Sequence, residues 1–484
     1  MRVPPLSASV TDLWSSAGEF VSDLVTPNLR LGVTGLARSG KTVFITALIR
    51  NLVSGGRLPF FAPYAEGRIL SAHLKPQPDD DIPRFDYEAH IRALESDPPE
   101  WPDSTRRIAE VRVSIAFEPQ SPLRRALGVR HVNLDVVDYP GEWLLDLAML
   151  NESYAAWSAE ALDLARDPRR EANARPWLDF IAALDSSAAA DEQKALKGAE
   201  LFTTYLRAQR AAEPLATLGP GRFLMPGDLD GSPLLTFFPL PLAPDATPER
   251  GSLAAMMARR YDSYVGHVVR PFFRDHFSRL DRQIVLVDAL GALNGGAETT
   301  ADLERALEAV LKAFRPGQAS WLTALLGGRR IDKLLFAATK ADHVHHTSHD
   351  RLEAILRLMT ERAGARSAEA GAEVKVMALA SLRATRETEA RDGKTILPCI
   401  VGTPLPGERL AGTTFDGRKE AAVFPGDLPA DPREALERGL DRRASFPRFR
   451  PPRLRSTTAT GEIPAVPHIR LDRALDFLIG DWLA

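Results

Sequence analysis

Gly35, Arg38, Ser39, Gly40, Lys41 and Thr42 fall in the string Gly-Leu-Ala-Arg-Ser-Gly-Lys-Thr, a spacing that can cradle phosphate. Glycines at its two ends permit backbone angles that a Cβ would strain. Consecutive N–H groups, through that of Val43, can therefore turn inward around phosphate oxygens at the positive end of a helix dipole. In such a loop the Lys41 ammonium reaches the β- and γ-phosphates and Thr42 places its hydroxyl on Mg2+.

Two further strings supply what a phosphate loop alone lacks. Asp138 ends the apolar run Val132 to Val137 and opens Asp-Tyr-Pro-Gly141. A carboxylate there holds Mg2+ directly or through water, and Gly141 can turn its N–H towards a γ-phosphate. Thr339-Lys340-Ala341-Asp342 follows the run Lys333 to Ala338. An Asp at position 342 can accept two hydrogen bonds from guanine N1–H and N2–H2, while the Lys340 stem packs on the base. Adenine lacks that donor pair and would leave the carboxylate unpaired. Ala380 and Ser381, after the run Glu373 to Leu379, stand where a second base-contacting loop is expected. Thr105, with Ser104 behind it, is the candidate for a second hydroxyl on the metal.

These strings need a sheet whose strands end on one side, each followed by a loop. The apolar run from Leu29 to Thr34 reads as a strand, and Phe44, Ala47, Leu48 and Leu52 follow at helical spacing. Ile108 to Phe117, Val132 to Val137, Gln283 to Asp288, Lys333 to Ala338 and Glu373 to Leu379 complete the strands, with a helix from about Glu298 to Phe314. The expected class is α/β, a P-loop domain with a mainly parallel sheet over 28–143 and 281–393. Residues 144–280 read as a helical insertion, broken by a Pro/Gly-rich stretch from Leu218 to Pro248. Residues 394–456 read as a β-rich extension and 457–484 as a C-terminal helix carrying Leu471, Leu475, Leu478 and Trp482. Ser9 to Leu24, within 1–27, reads as an amphipathic helix. Gly55 to Asp103, rich in Pro, Gly and aromatics, reads as a long ordered loop suited to sensing phosphate.

Composition narrows the classes. Lys+Arg 61 against Asp+Glu 64 leaves a net charge of −3 over 484 residues, with no bulk attraction for nucleic acid. The single cysteine, Cys399, cannot close an internal disulfide, which fits a reducing cytoplasmic setting. No apolar run is long enough to span a membrane, so membrane contact is expected to be peripheral or through a partner. His343, His345, His346 and His349 match no zinc spacing, and Thr347-x-x-Asp350 reads as the cap of a helix bearing Leu352, Ile355, Leu356 and Met359. Phe446 and Phe449 lie among arginines in a proline-studded segment that reads as a surface strand.

The strings Gly35 to Thr42, Asp138-Tyr-Pro-Gly-Glu-Trp-Leu-Leu-Asp146, Val287-Asp-Ala-Leu290 and Ala338-Thr-Lys-Ala-Asp-His343 together resemble the YcjX family of bacterial stress-associated P-loop proteins. The resemblance runs from about Leu29 to the C-terminus. It implies a Ras-like domain with Mg2+ and with GTP and GDP as substrate and product, a cytoplasmic place that can be peripheral at the inner membrane, and a membrane-protein neighbour encoded nearby. Two positions depart from small GTPases. Glu142 stands where a water-orienting Gln would be, and a carboxylate there both orients water and repels a γ-phosphate. Arg38 makes the loop similar to that of guanylate-binding proteins and atlastins, where the arginine folds over the phosphates as a finger supplied in cis, once the switch loops close or the protein dimerises. The expected function is a GTP-binding, slowly hydrolysing switch in a stress response, with Lys41, Arg38, Thr105, Gly141 and Glu142 at the chemistry. An ATP-dependent enzyme and a nucleotide-holding scaffold are the rival readings.

Overall fold

The computed structural model describes residues 26–36, 38–105, 107–126, 128–212, 216–243, 246–312, 331–369, 371–410, 412–440, 445–455 and 464–484. The helix read over Ser9 to Leu24 lies outside them.

Alternation along β1 (Asn28–Gly35) puts Leu29, Leu31 and Val33 on one face, where they meet Phe44, Leu48 and Leu52 of α1 (Lys41–Ser54). Around β1 a seven-stranded sheet is built from β2 (Ile69–Lys75), β3 (Ala109–Phe117), β4 (Arg130–Asp138), β5 (Arg282–Val287), β6 (Lys333–Ala338) and β7 (Glu373–Ala378). Their order is β2-β3-β4-β1-β5-β6-β7. Strands β4, β1, β5, β6 and β7 run parallel, whereas β3 is antiparallel to both its neighbours, β2 and β4. The chain crosses from one side of β1 to the other between β4 and β5, which makes the carboxyl end of β1 a topological switch point where α/β proteins bind ligands. This is a Ras-like α/β architecture with a mixed, mainly parallel sheet.

The segment from Gly55 to Asp103 is not the plain loop its composition suggests. It contains β2 and α2 (Tyr87–Glu95). β2 is a half-exposed edge strand without clean alternation, and prolines on either side of α2 conceal its short stripe of Ile91 and Leu94.

Helices dominate from Gly141 to Leu280: α3 (Tyr154–Ala165), α4 (Pro168–Ala182), α5 (Glu192–Ala212) and α6 (Leu253–Tyr264) among them. Their core is aromatic, with Trp157, Trp177, Phe202, Tyr205, Phe237 and Tyr261 in edge, tilted and stacked contacts. This bundle is tied to α7 (Ala297–Lys312) by a buried ion pair in which Arg170 meets Asp302 at 2.6 Å. Thr217 and the Ala216 and Thr217 backbone N–H groups donate to the same carboxylate. On the outer face of β5 and β6, α7 and α8 (His349–Glu369) cover Val285, Val287, Leu334 and Phe336.

Beyond the main sheet, β8 (Arg386–Asp392) and β9 (Thr395–Gly402) form a hairpin. A two-residue ribbon pairs β10 (Arg409–Leu410) with β11 (Thr413–Thr414), and β12 (Ala421–Val423) joins β9. The helix α9 (Leu471–Ile479) buries Leu471, Leu475 and Leu478 in the core on the α1 side. The segment 445–455 is no surface strand. Phe446 and Phe449 are buried, and the segment meets the β extension through an isolated bridge between Phe449 and Pro404, an Arg448–Glu408 ion pair and a hydrogen bond from Arg450 to the Gly417 carbonyl.

Candidate nucleotide site

The parallel register brings the loops after β1, β5, β6 and β7 to one edge, since Gly35 pairs with Leu286, Val287 with Ala338, and Ala338 with Ala378. At this edge the phosphate loop turns into α1 through Gly40, whose φ of 91° is left-handed. Gly35 is equally constrained, because a Cβ there would lie 2.4 Å from the Leu286 carbonyl oxygen. Lys41 is buried and donates to the Gly35 carbonyl at 2.8 Å. Burial pushes its ammonium below the ordinary lysine value, against the opposing pull of Asp138 and Glu142. Val43 is half-buried in the first turn of α1, Arg38 stands exposed with φ 65°, and the buried Ser39 hydroxyl has no hydrogen-bond partner among the described residues.

Thr42, Thr105 and Asp138 converge beside the lysine. The Thr105 hydroxyl donates to Asp138 Oδ2 and lies 3.3 Å from the Thr42 hydroxyl, while Ser104 is exposed. Asp138 is fully buried, and its Oδ1 has no partner among the described residues. Burial raises its carboxyl to about 6, with Lys41 and the Thr105 hydrogen bond pulling the other way. Two hydroxyls and an orphaned carboxylate oxygen make an all-oxygen donor set that suits Mg2+. The residues present therefore fit that ion.

Gly141 opens a 3₁₀ segment, Gly141–Asn151, that packs into the helical bundle. Glu142 is buried and bonded to Arg210 of α5. Asp146 accepts from the Tyr264 hydroxyl at 2.6 Å and the Gly221 N–H at 2.5 Å, with burial lifting its carboxyl to about 6. A Cβ at Gly221 would sit 2.0 Å from the Glu142 carbonyl oxygen, so the two backbones touch. Arg222 stacks 3.2 Å over the Trp143 ring.

At the other end of the site Asp342 is buried, and its Oδ2 accepts from the Ala384 N–H at 2.8 Å. The Thr385 hydroxyl donates to its main-chain carbonyl. Thr339 donates through its hydroxyl to the Val287 carbonyl at 3.3 Å, and Lys340, with φ 60°, is ion-paired to Asp288. Ala380 exchanges both backbone hydrogen bonds with Ile469, at 3.1 and 2.8 Å, and Ser381 is buried next to it. A cavity of about 410 Å³ beside this edge is lined by Arg38, Ser39, Gly141, Glu142, Arg210 and Lys340 among others. Lys41, Thr42, Asp138 and Asp342 are not among its walls. It therefore flanks the phosphate loop, running from Arg38 and Ser39 past Gly141 to Lys340.

With the P-loop, the Asp138 strand end and the Asp342 loop on one edge, the relatives can be placed. The profile of the YcjX-like family, DUF463, matches residues 29–483. The chain belongs to the YcjX-like family. A protein named Ras-like GTPase YcjX from Escherichia coli (strain K12) is 38% identical over 469 residues, covering 94% of this chain and 96% of the relative. One of the same name from Shewanella oneidensis (strain MR-1) is 35% identical over 477 residues, covering 94% and 95%. In this YcjX-like chain the residues that sequence reasoning overlooked are Arg210, Asp288, Ala384 and Asp146. Asp146 and Asp288 lie within the strings Asp138 to Asp146 and Val287 to Leu290, but no local pattern gives them a role. Arg210 is an ordinary helix arginine, and no local pattern marks it. Among the described residues no helix is long and apolar enough to cross a membrane.

Proposed function

We propose that this protein binds guanine nucleotide with Mg2+, hydrolyses GTP slowly to GDP and phosphate, and relays the difference to its helical segment as a switch. The observation that carries the reading is the convergence of Thr42, Thr105 and the orphaned Asp138 Oδ1 beside Lys41. The curated relatives' name, Ras-like GTPase, supports the same chemistry. When bound, Mg2+ would screen phosphate charge held between those three residues. Lys41 would leave the Gly35 carbonyl for the β- and γ-phosphates, the Gly141 N–H would meet the γ-phosphate, and Asp342 would read N1–H and N2–H2 of guanine. Ala380 and Ser381 would close over the base. Because Glu142 is held by Arg210, it is not free to orient water, which supports a slow intrinsic rate. Arg38, exposed at the rim, would act as a finger after closure.

The switch reading follows from continuity. The segment that begins at Gly141 continues into Trp143 and Asp146, both anchored in the 216–264 part of the bundle. A shift of Gly141 towards a γ-phosphate would therefore strain that anchor. Residues 144–280 would be the effector surface, and a role in a stress response with a membrane-protein partner is the biological setting we infer.

Calorimetric titration of GDP and of ADP, with Mg2+, into the wild type and Asp342→Ala tests the nucleotide assignment. Tight GDP binding that collapses in the variant is the expected result. Equal affinities, or an ADP preference that the variant leaves untouched, would sink the guanine reading in favour of an ATP-dependent enzyme.

A further inference from the structure

The histidines after Asp342 match no zinc spacing along the chain, because the third member of their cluster comes from elsewhere. Glu387, the second residue of β8, reaches the loop at His345 and His346. Its Oε2 lies 2.8 Å from His346 Nδ1 and 3.7 Å from His345 Nε2, and the three donor atoms all fall within 4.8 Å of one another. Ligand atoms on a tetrahedral ion with bonds of about 2.05 Å stand about 3.3 Å apart, so the two distances straddle the required edge.

The surroundings hold the cluster in that pose. Glu387 Oε1 accepts from the His346 N–H at 3.0 Å and has the Arg383 guanidinium at 3.9 Å, which leaves Oε2 turned towards both imidazoles. His345 Nδ1, the nitrogen facing away, lies 3.0 Å from the Thr347 hydroxyl and 3.5 Å from the Thr347 N–H, contacts that hold the ring in place. Two imidazoles and one carboxylate suit Zn2+, Ni2+ or Cu2+ and not Mg2+.

We propose that His345, His346 and Glu387 bind a divalent transition-metal cation of the Zn2+ type, with water completing the coordination. The site is separate from the Thr42, Thr105 and Asp138 cluster. It joins the loop that carries Asp342 to the stretch whose Ala384 N–H and Thr385 hydroxyl grip Asp342. Occupancy would therefore fix the base-reading corner. That consequence rests on the guanine reading, whereas the metal site itself does not.

The test is calorimetric titration of Zn2+ into the full chain held in excess Mg2+ and GDP, so that the phosphate end is not the receptor. About one equivalent is expected to bind, and Glu387→Gln and His346→Ala should each weaken it about tenfold or more. His131→Ala, at an exposed histidine of β4, should leave it unchanged. Co2+ in place of Zn2+ should give the intense visible absorption of a tetrahedral site, lost in the same two variants. Circular dichroism of both variants checks that they fold. Absence of stoichiometric binding, or binding indifferent to Glu387 and His346, would overturn the proposal and leave an exposed His–Glu ion pair.

Discussion

The two ends of the candidate nucleotide site are built on opposite terms. At the phosphate end, polar groups are buried without their full complement: Asp138 Oδ1 and the Ser39 hydroxyl lack partners among the described residues, and Lys41 is desolvated on a loop carbonyl. At the base end Asp342 already takes the Ala384 N–H, Lys340 has Asp288, and Ala380 is stitched to Ile469. A buried polar atom without a partner costs roughly 1–3 kcal/mol, so the phosphate end gains most from ligand while the base end is shaped beforehand by the fold. Affinity and specificity should therefore separate, the first belonging to one corner and the second to the other.

The largest effect should come from Lys41→Ala. It removes the cation from the unsatisfied corner, and binding of GDP and ADP alike should fall by about 100-fold or more, a loss of roughly 3 kcal/mol for a charge-assisted contact. Titration of both nucleotides checks it, and a loss confined to one base would break the division between corners. Next comes Asp342→Asn, which keeps the shape and changes the hydrogen-bond pattern. Guanine's exocyclic amine then meets an amide that can donate, whereas xanthine offers a carbonyl at that position. GDP affinity should drop about 10- to 100-fold, as expected for losing a hydrogen bond to a charged group, and XDP affinity should rise. Unchanged ADP binding would sharpen the comparison, and an equal loss for every base would refute it.

How much of this could be read before the structure follows the same divide. The phosphate end is written in contiguous strings: Gly35 to Thr42 and Asp138 to Gly141 carry their own backbone requirements and sit at ends of strongly apolar strands. Thr105 was reachable because a hydroxyl upstream of β3 is a narrow choice. The base end was read at Thr339 to Asp342 and at Ala380 and Ser381. Its supports are long-range, with Ala384 on Asp342, Ile469 on Ala380 and Glu387 beside His346, and no local period encodes such contacts. The same holds for Arg210 on Glu142, which spans two segments with unrelated patterns. The edge strand β2 escaped notice because half-exposed edges lack the alternation that marks inner strands.

A third prediction uses pH. Burial raises the Asp138 carboxyl to about 6 from 3.8. The proton it gains on folding stabilises the protein fully below the unfolded value, and that contribution disappears as pH rises through about 6. Above that pH the buried carboxylate works against the nucleotide-free fold. Asp138→Asn should then melt a few degrees higher than wild type at pH 8 without nucleotide, with the difference shrinking towards pH 5. The same variant should lose the Mg2+ dependence of nucleotide binding. Thermal melts at the two pH values, each with and without Mg2+ and GDP, measure both. A variant less stable at pH 8 would show that the orphaned oxygen has a partner in solution, and the contrast between the corners would weaken.

The smallest expected effect separates triphosphate from diphosphate within the phosphate corner. Glu142 lies close enough to Lys41 to act on its charge, and Arg210 neutralises it from the edge of the helical bundle. With Arg210 half-exposed, the pair itself should contribute no more than about 1 kcal/mol to stability. Its consequence for ligand is different. Removing Arg210 leaves the Glu142 carboxylate uncompensated beside the place a γ-phosphate would take, while a β-phosphate lies further off. Arg210→Ala should therefore weaken a non-hydrolysable GTP analogue about fivefold relative to GDP, an increment of roughly 1 kcal/mol, and Arg210→Lys should recover most of it. Parallel titrations of the two nucleotides into the three proteins read the ratio directly. An unchanged ratio would mean that Glu142 does not face the γ-phosphate, and the relay from Gly141 into the helical segment would then have to run through Trp143 and Asp146 alone.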